Sequence, residues 1–265
     1  MLRNKKNLIK IGVIGCLGRM GRAVVNELIT NEKVQIVAAA ARSNIGVDIG
    51  LAIGCGFTDI GVRITYSISE VFELSDIVID FTTKECMLEC LKAAVKFKKP
   101  LVSGTTGIEG INLKEYATKV PILWSANMSI GVNALLKLVK KAAELLGSEY
   151  DVEICEMHHN LKKDSPSGTA IELGKTIANT LNIDLRINQH SCGIREKKSI
   201  GFAVSRGGGV IGDHKVIFAN FGERIELGHK AINRKIFAKG AVEASIWLYE
   251  NKREIAGLYS MQEVI

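Results

Sequence analysis

A strand that runs directly into a glycine-rich turn and then a helix opens the chain, and no other feature constrains the fold as tightly. Ile9 to Ile14 reads as a buried strand, Gly15-Cys16-Leu17-Gly18-Arg19-Met20-Gly21 as the turn, and Arg19 to Thr30 as the helix. Such a turn aims backbone N–H groups and the positive helix end at one spot, which suits a pyrophosphate. Glycines let the phosphate approach the backbone and let helix and strand pack closely. The spacing is Gly-x-x-Gly-x-x-Gly, whereas the usual dinucleotide fingerprint is Gly-x-Gly-x-x-Gly, with Cys16 at its first glycine. A plain turn is the competing reading; the strand–turn–helix context favours a dinucleotide.

The same alternation continues downstream. Val34 to Ala41, Val62 to Ile68, Ile77 to Thr82, Leu101 to Ser103 and Ile122 to Ser125 read as strands. Lys84 to Lys98 and Asn112 to Lys119 read as helices between them, and the Gly-rich, irregular stretch 44–61 reads as a loop or a poorly defined insertion. Apolar strands alternating with helices predict a parallel sheet covered on both faces. Ser129 to Gly147 has helical spacing and a glycine at its end. Val152 to Met157 is then a strand, and a helix runs from about Ser167 to Leu181. Beyond Ile200 the pattern turns to short strands separated by Gly207-Gly208-Gly209 and Gly212-Asp213, before a last helix from Arg234 to Tyr249. The expected fold class is α/β: a Rossmann-like parallel-sheet dinucleotide domain plus an α+β domain with a mostly antiparallel sheet. The expected boundaries are 1–130 with 241–265 for the first, and 131–240 for the second.

Bulk properties exclude several function classes. With 265 residues, the chain is long enough for one large or two modest cores. No apolar run reaches the roughly 18 residues that suggest a membrane span. The basic start is followed by a short apolar stretch that contains Lys10 and runs into the Gly-rich turn, so a signal peptide is not expected and a cytoplasmic location is. The net charge of +7 is spread along the chain and aromatics are only 6%, which argues against nucleic-acid binding. None of the six cysteines forms a Cys-x-x-Cys pair, and all six are expected to be reduced thiols.

The second strand ends in Ala40-Ala41-Arg42-Ser43, without the acid that would bind the ribose hydroxyls of NAD. Arg42 and Ser43 suit a 2′-phosphate, so NADPH is expected in preference to NADH. A solvated surface arginine is the alternative. Gly104-Thr105-Thr106-Gly107 and Ser125-Ala126-Asn127-Met128 follow later strands, where ligands of open α/β sheets bind. Ordinary turn chemistry explains either segment equally well.

The densest chemistry lies in Glu156-Met157-His158-His159-Asn160-Leu161-Lys162-Lys163-Asp164-Ser165-Pro166-Ser167-Gly168-Thr169-Ala170. Histidine can give a proton near neutral pH, and lysine supplies positive charge. Ser167, Gly168 and Thr169 open a helix whose N–H groups, with the Thr169 hydroxyl, would cradle a carboxylate. That set suits an anionic substrate that must be protonated after hydride arrives. Metal binding and a merely polar capped loop are the alternatives. Adjacent residues of a strand face opposite ways, so His158 and His159 do not chelate naturally, and no metal is expected.

This segment resembles the signature of bacterial dihydrodipicolinate reductases. The resemblance extends to Gly18-Arg19-Met20-Gly21, Asp80-Phe81-Thr82, the Gly104 and Ala126 segments, Gly201-Phe202-Ala203 and Gly222-Glu223-Arg224. It implies a homotetramer that reduces a dicarboxylate ring to tetrahydrodipicolinate in diaminopimelate and lysine biosynthesis, the second domain binding substrate and forming the tetramer. It implies His158 as proton donor with Lys162 as its catalytic partner, and substrate contacts from His159, Gly168 and Thr169. Cofactor contacts would come from Gly15, Cys16, Leu17, Gly18, Arg19 and Met20, from Gly104, Thr105 and Thr106, and from Ser125, Ala126, Asn127 and Met128. Arg42 matches a family arginine beside the adenosine phosphate. The chain departs from the family at Ala41, where many members carry an acid that bears on NADH use, and at Asn160-Leu161, where many carry a further basic residue. A different amino-acid-pathway dehydrogenase, or a non-catalytic NADPH-binding regulator, is the alternative function.

Overall fold

The computed structural model describes residues 8–54, 56, 59–189 and 194–265. The basic segment 1–7 and two of the cysteines, Cys55 and Cys192, lie outside the described residues. The chain forms two compact units, Met1–Ser129 with Lys235–Ile265, and Ile130–Arg234.

The first unit begins with β1 (Ile9–Ile14), α1 (Arg19–Thr30) and β2 (Val34–Ala40). It continues through α2 (Ile49–Ile53), β3 (Ile64–Thr65), α3 (Ile68–Leu74), β4 (Ile77–Asp80) and α4 (Lys84–Phe97), then β5 (Leu101–Ser103), α5 (Leu113–Ala117) and β6 (Pro121–Trp124). The second unit holds α6 (Ile130–Leu146), β7 (Asp151–His158), α7 (Gly168–Leu181), β8 (Asn188–Gln189), β9 (Ile200–Arg206), β10 (Asp213–Ala219) and β11 (Arg224–Lys230). The chain re-enters the first unit with α8 (Lys235–Lys252), β12 (Gly257–Tyr259) and α9 (Met261–Val264).

Among the described residues the first unit's sheet runs β12-β6-β5-β4-β1-β2-β3, every neighbouring pair parallel. Its strands are mostly apolar, with Lys10 and Gln35 exposed near the starts of β1 and β2, because helices cover both faces. Val24, Val25 and Leu28 of α1 pack with α8 residues on one side of the sheet, while Met87, Leu91 and Ala94 of α4 join Phe72 of α3 on the other. Each such large side chain, fully buried, contributes about 1.5–3 kcal/mol.

Several elements differ from the sequence expectation. Stretch 44–61 is not merely a loop: buried Asp48 caps α2 and accepts N–H bonds from Gly50, Ile60 and Val62 at 2.8, 3.1 and 2.9 Å. One carboxylate thereby organises a segment whose glycines conceal any periodicity. Of the expected strand at 62–68, Ile64–Thr65 joins the sheet and Arg63 makes only an isolated bridge to Asp48, because Ser67 caps a new helix, its hydroxyl accepting from the Glu70 N–H. The short β12 had no periodic signature, yet it closes one edge of the sheet beside β6.

The second unit's sheet runs β11-β10-β7-β9-β8, antiparallel at β11–β10 and β10–β7, parallel at β7–β9 and β9–β8. One face is buried under α6 and α7. Val152 and Ile154 of β7 meet Val216 and Phe218 of β10 there, together with Leu135, Val139, Leu173 and Ile177 of the helices.

Candidate active site

At the first unit's opening turn, Gly15 adopts φ +79°, a left-handed conformation suited to glycine. A Cβ on Gly21 would lie 2.0 Å from the Gly15 carbonyl oxygen, so helix and turn meet closely only because position 21 has no side chain. Both Gly15 and Cys16 donate their N–H to the Ala40 carbonyl, at 3.0 and 3.1 Å. The sharp reversal therefore falls at Gly15, one residue before the usual fingerprint glycine. The Cys16 side chain turns into the core, where burial pushes its thiol up to about 12. A cavity of about 1070 Å³ opens above these strand ends, with Gly15, Leu17, Gly18, Arg42, Ser43 and Tyr66 in its wall. An open cavity, a tight glycine turn and a helix start fit a dinucleotide.

The remaining expected cofactor residues are spread more widely. Arg19 is exposed, and Met20 packs against the core beside α1. Gly104 is pinned against Phe81, whose ring carbon would sit 2.1 Å from any Cβ there. Thr106 and Ala126 are exposed at the ends of β5 and β6. The Ser125 hydroxyl donates to the Asn127 carbonyl at 2.8 Å, and Met128 is buried in the core. Buried Thr105 belongs to a closed network, its hydroxyl donating to Asp80 at 2.8 Å beside those of Ser103 at 2.7 Å and Thr82 at 2.5 Å. Burial raises the Asp80 carboxyl, and the three hydroxyls oppose that rise.

In the second unit, β7 brings Glu156 and His158 onto the buried face, in the same phase as Val152 and Ile154. His159 lies just past the strand end, half-buried, so the two histidines part as alternation requires. Register supplies the other members. Glu156 stands opposite His214 of β10, and His158 opposite Arg206 of β9.

The carboxylate has two unlike ends. Its Oε1 accepts the Ser167 N–H at 3.1 Å and faces both Arg206 terminal nitrogens at 3.4 Å. Its Oε2 lies 3.6 Å from His158 Nδ1 and 3.5 Å from His214 Nε2. Burial pushes the Glu156 carboxyl up, but His214, Ser167 and the His158 charge outweigh it and bring it down to about 2. Burial lowers the His158 ring to about 4; Glu156 pulls it upward, while His214, Lys162 and Arg206 press it further down. Glu156, His158 and His214 each bring a ligand atom within 4.8 Å of the others, a spacing a cation could use. Arg206 already compensates that carboxylate's charge, so the cluster suits proton handling.

Lys162 is ion-paired with Asp164, its Nζ 2.8 Å from both carboxylate oxygens. Ser167 is the N-cap of α7: its hydroxyl accepts the Ala170 N–H at 3.2 Å and lies 3.1 Å from His214 Nε2. That hydroxyl is buried and engaged, leaving exposed Gly168 and half-buried Thr169 as the outward part of the helix start. Sequence reasoning gave no role to Glu156, Arg206 or His214. The available signal was a polar residue in the inward phase of an apolar strand, at 156 and again at 214.

The chain matches the family models of dihydrodipicolinate reductase at the N-terminal part over residues 9–128 and the C-terminal part over residues 131–265. It is 72% identical to the 4-hydroxy-tetrahydrodipicolinate reductase of Wolbachia sp. subsp. Drosophila simulans (strain wRi), over 97% of this chain and 99% of that protein. The protein of the same name from Anaplasma marginale (strain St. Maries) is 47% identical over 97% and 99%. Among solved structures, a dipicolinate-bound dihydrodipicolinate reductase from Paenisporosarcina sp. TG-14 aligns with a TM-score of 0.78 at 26% identity, covering 97% of this chain and all of that one. An amine dehydrogenase from Mycobacterium smegmatis, at 15% identity and a TM-score of 0.64 over 91% of this chain and 92% of that one, shares the fold. The chain belongs to the dihydrodipicolinate reductase family, and it is an oxidoreductase with a nicotinamide-dinucleotide domain.

Proposed function

We propose that this member of the dihydrodipicolinate reductase family reduces 4-hydroxy-tetrahydrodipicolinate, a cyclic dicarboxylate, to tetrahydrodipicolinate on the route to diaminopimelate and lysine. The observation that carries the reading is the buried Glu156–His158–His214 cluster, with Lys162 and Arg206 beside the start of α7. A reduced nicotinamide, when bound, supplies the hydride. Everything else falls to the chain's own groups.

Lys162, His159 and the Gly168-Thr169 helix start hold the substrate's carboxylates. Lys162 exchanges its Asp164 partner for one of them. The 4-hydroxyl leaves as water, which creates the second unsaturation of the ring; hydride then adds to an unsaturated ring carbon, and His158 gives the balancing proton. In the free protein that ring is neutral near pH 7, since burial holds it at about 4. Two substrate carboxylates would offset the positive charge of Lys162 and Arg206, which lifts His158 and lets it take up the proton it later donates. Binding thus charges the acid only when there is a substrate to protonate.

NADPH is the preferred cofactor and NADH an admitted one. The support is Arg42 and Ser43 on the cavity wall, with Ala41 in place of an acid. The working form is a homotetramer in the cytoplasm. Strand β11 lies at the edge of its sheet with Ile225 exposed, as a further subunit contact would require. The test is an assay of NADPH absorbance with substrate supplied by an aldolase-type synthase. Consumption of NADPH that depends on the synthase product is expected; NADPH binding without turnover would overturn the reading in favour of a regulator. Light scattering on the purified protein checks the tetramer.

A further inference from the structure

We propose that Glu156 is a positioning residue: a buried carboxylate, shared by His158 and His214, that holds the resting proton of His158 on Nδ1 and leaves Nε2 for the substrate. The proposal rests on the assignment of His158 as proton donor.

Three observations lead to it. The carboxylate is fixed from behind, since Oε1 is taken by the Ser167 N–H and the Arg206 guanidinium. Its Oε2 makes no hydrogen bond, yet it faces two buried imidazoles. His158 Nδ1 is likewise buried without a hydrogen bond, and Oε2, at 3.6 Å, is the acceptor it faces. A separation of 3.6 Å is a charge contact that a small ring rotation turns into a hydrogen bond, and catalytic hydrogen bonds of this kind commonly tighten when substrate binds.

The opposite edge of the ring is kept clear. A Cβ at Gly212 would stand 3.0 Å from His158 Nε2, 3.4 Å from its Cδ2 and 3.6 Å from His214 Cε1. Glycine there leaves Nε2 without a side chain against it. With Nδ1–H turned to Glu156, neutral His158 presents a bare Nε2 that accepts a proton and then gives it up. The charged and titratable groups that face His158 are Glu156 on β7, His214 on β10, Arg206 on β9 and Lys162 in the loop after β7. Of these, Glu156 alone favours the imidazolium. His214 has a second duty: its Nε2 touches the Ser167 hydroxyl, so the same carboxylate ties the proton donor to the cap of α7.

Glu156→Gln keeps the size of the side chain and removes its charge. We expect about a 10- to 100-fold loss in kcat, less than removal of the acid itself would bring. The KM for substrate should change little, and the pH limb of kcat/KM should move to lower pH. Glu156→Asp should restore part of that limb. A merely structural role would alter thermal stability and leave the limb in place, and that result would overturn the proposal. Nitrogen-15 spectra of the histidine rings test it in the unmodified protein, without any turnover. His158 protonated on Nδ1 at neutral pH is expected; protonation on Nε2 overturns the proposal. Since the spectra need no substrate, they stand even if the reaction assignment fails.

Discussion

Each unit buries one carboxylate at a strand end, and the two do opposite work. Asp80, at the end of β4, accepts three hydroxyl bonds and lies entirely within a closed polar network. Glu156, near the end of β7, has one oxygen satisfied and one turned toward two imidazoles. The directions of their shifts follow. Burial dominates at Asp80, whose partners are neutral hydroxyls, and its carboxyl rises. At Glu156 the burial penalty is exceeded by its histidine and Ser167 contacts, and the carboxyl falls to about 2. A satisfied buried acid pins strands together; a half-satisfied one beside titratable rings sets their proton positions.

The largest effect that could break this contrast is at His158. His158→Ala should lower kcat by about 10²- to 10⁴-fold with little change in KM, read from NADPH absorbance. Near-full kcat would remove the catalytic meaning of the Glu156 cluster. Asp80→Ala comes next, in stability. It leaves the buried hydroxyls of Ser103 and Thr105, and the half-buried one of Thr82, without their Asp80 acceptor and should cost on the order of 3 kcal/mol in denaturant unfolding, with the pH limb of kcat/KM unmoved. A moved limb would show that Asp80 also reaches the chemistry. A smaller effect is expected at the exposed Arg42. Arg42→Ala should raise the KM for NADPH about tenfold, or about 1.4 kcal/mol, and that for NADH much less. Equal effects would remove the phosphate role.

A last effect is a drift of the unfolding midpoint with pH, to which the two carboxylates contribute in opposite directions. The His158 contribution is present above 6.5 and is lost as pH falls through about 4, because the unfolded ring takes the proton more readily. The Glu156 contribution is present above 4.5 and is lost as pH falls through about 2. Asp80, with a raised folded value, contributes below its ordinary 3.8, and that contribution is lost as pH rises through the folded value. Thermal melts between pH 6.5 and 4 should therefore show a fall that His158→Ala flattens.

Much of this architecture was legible in the chain. Apolar runs separated by amphipathic stretches marked β1, α1, β2, β4, α4 and β5 because a parallel sheet covered on both faces has no polar phase. The elements that escaped were those whose cause is a single contact. Helix α2 depends on Asp48, and α3 on the Ser67 cap. The short β12 depends on pairing with β6. None of these leaves a period to read. The opening turn showed a related limit: the glycine pattern located the turn, but the left-handed residue is Gly15 and Cys16 belongs to the core.

The sequence by itself determined the chemistry available at the second site. It placed His158, Lys162 and the helix start of α7 within a dozen residues, and alternation along β7 already separated His158 from His159. Only the tertiary structure decided which groups govern His158. His214 lies 56 positions and Arg206 48 positions further along the chain than that histidine (214 − 158 and 206 − 158). They reach the cluster through the registers of β10 and β9 against β7. A one-residue slip in either register would turn those side chains to the other face, and no local pattern in the chain encodes which strands become neighbours.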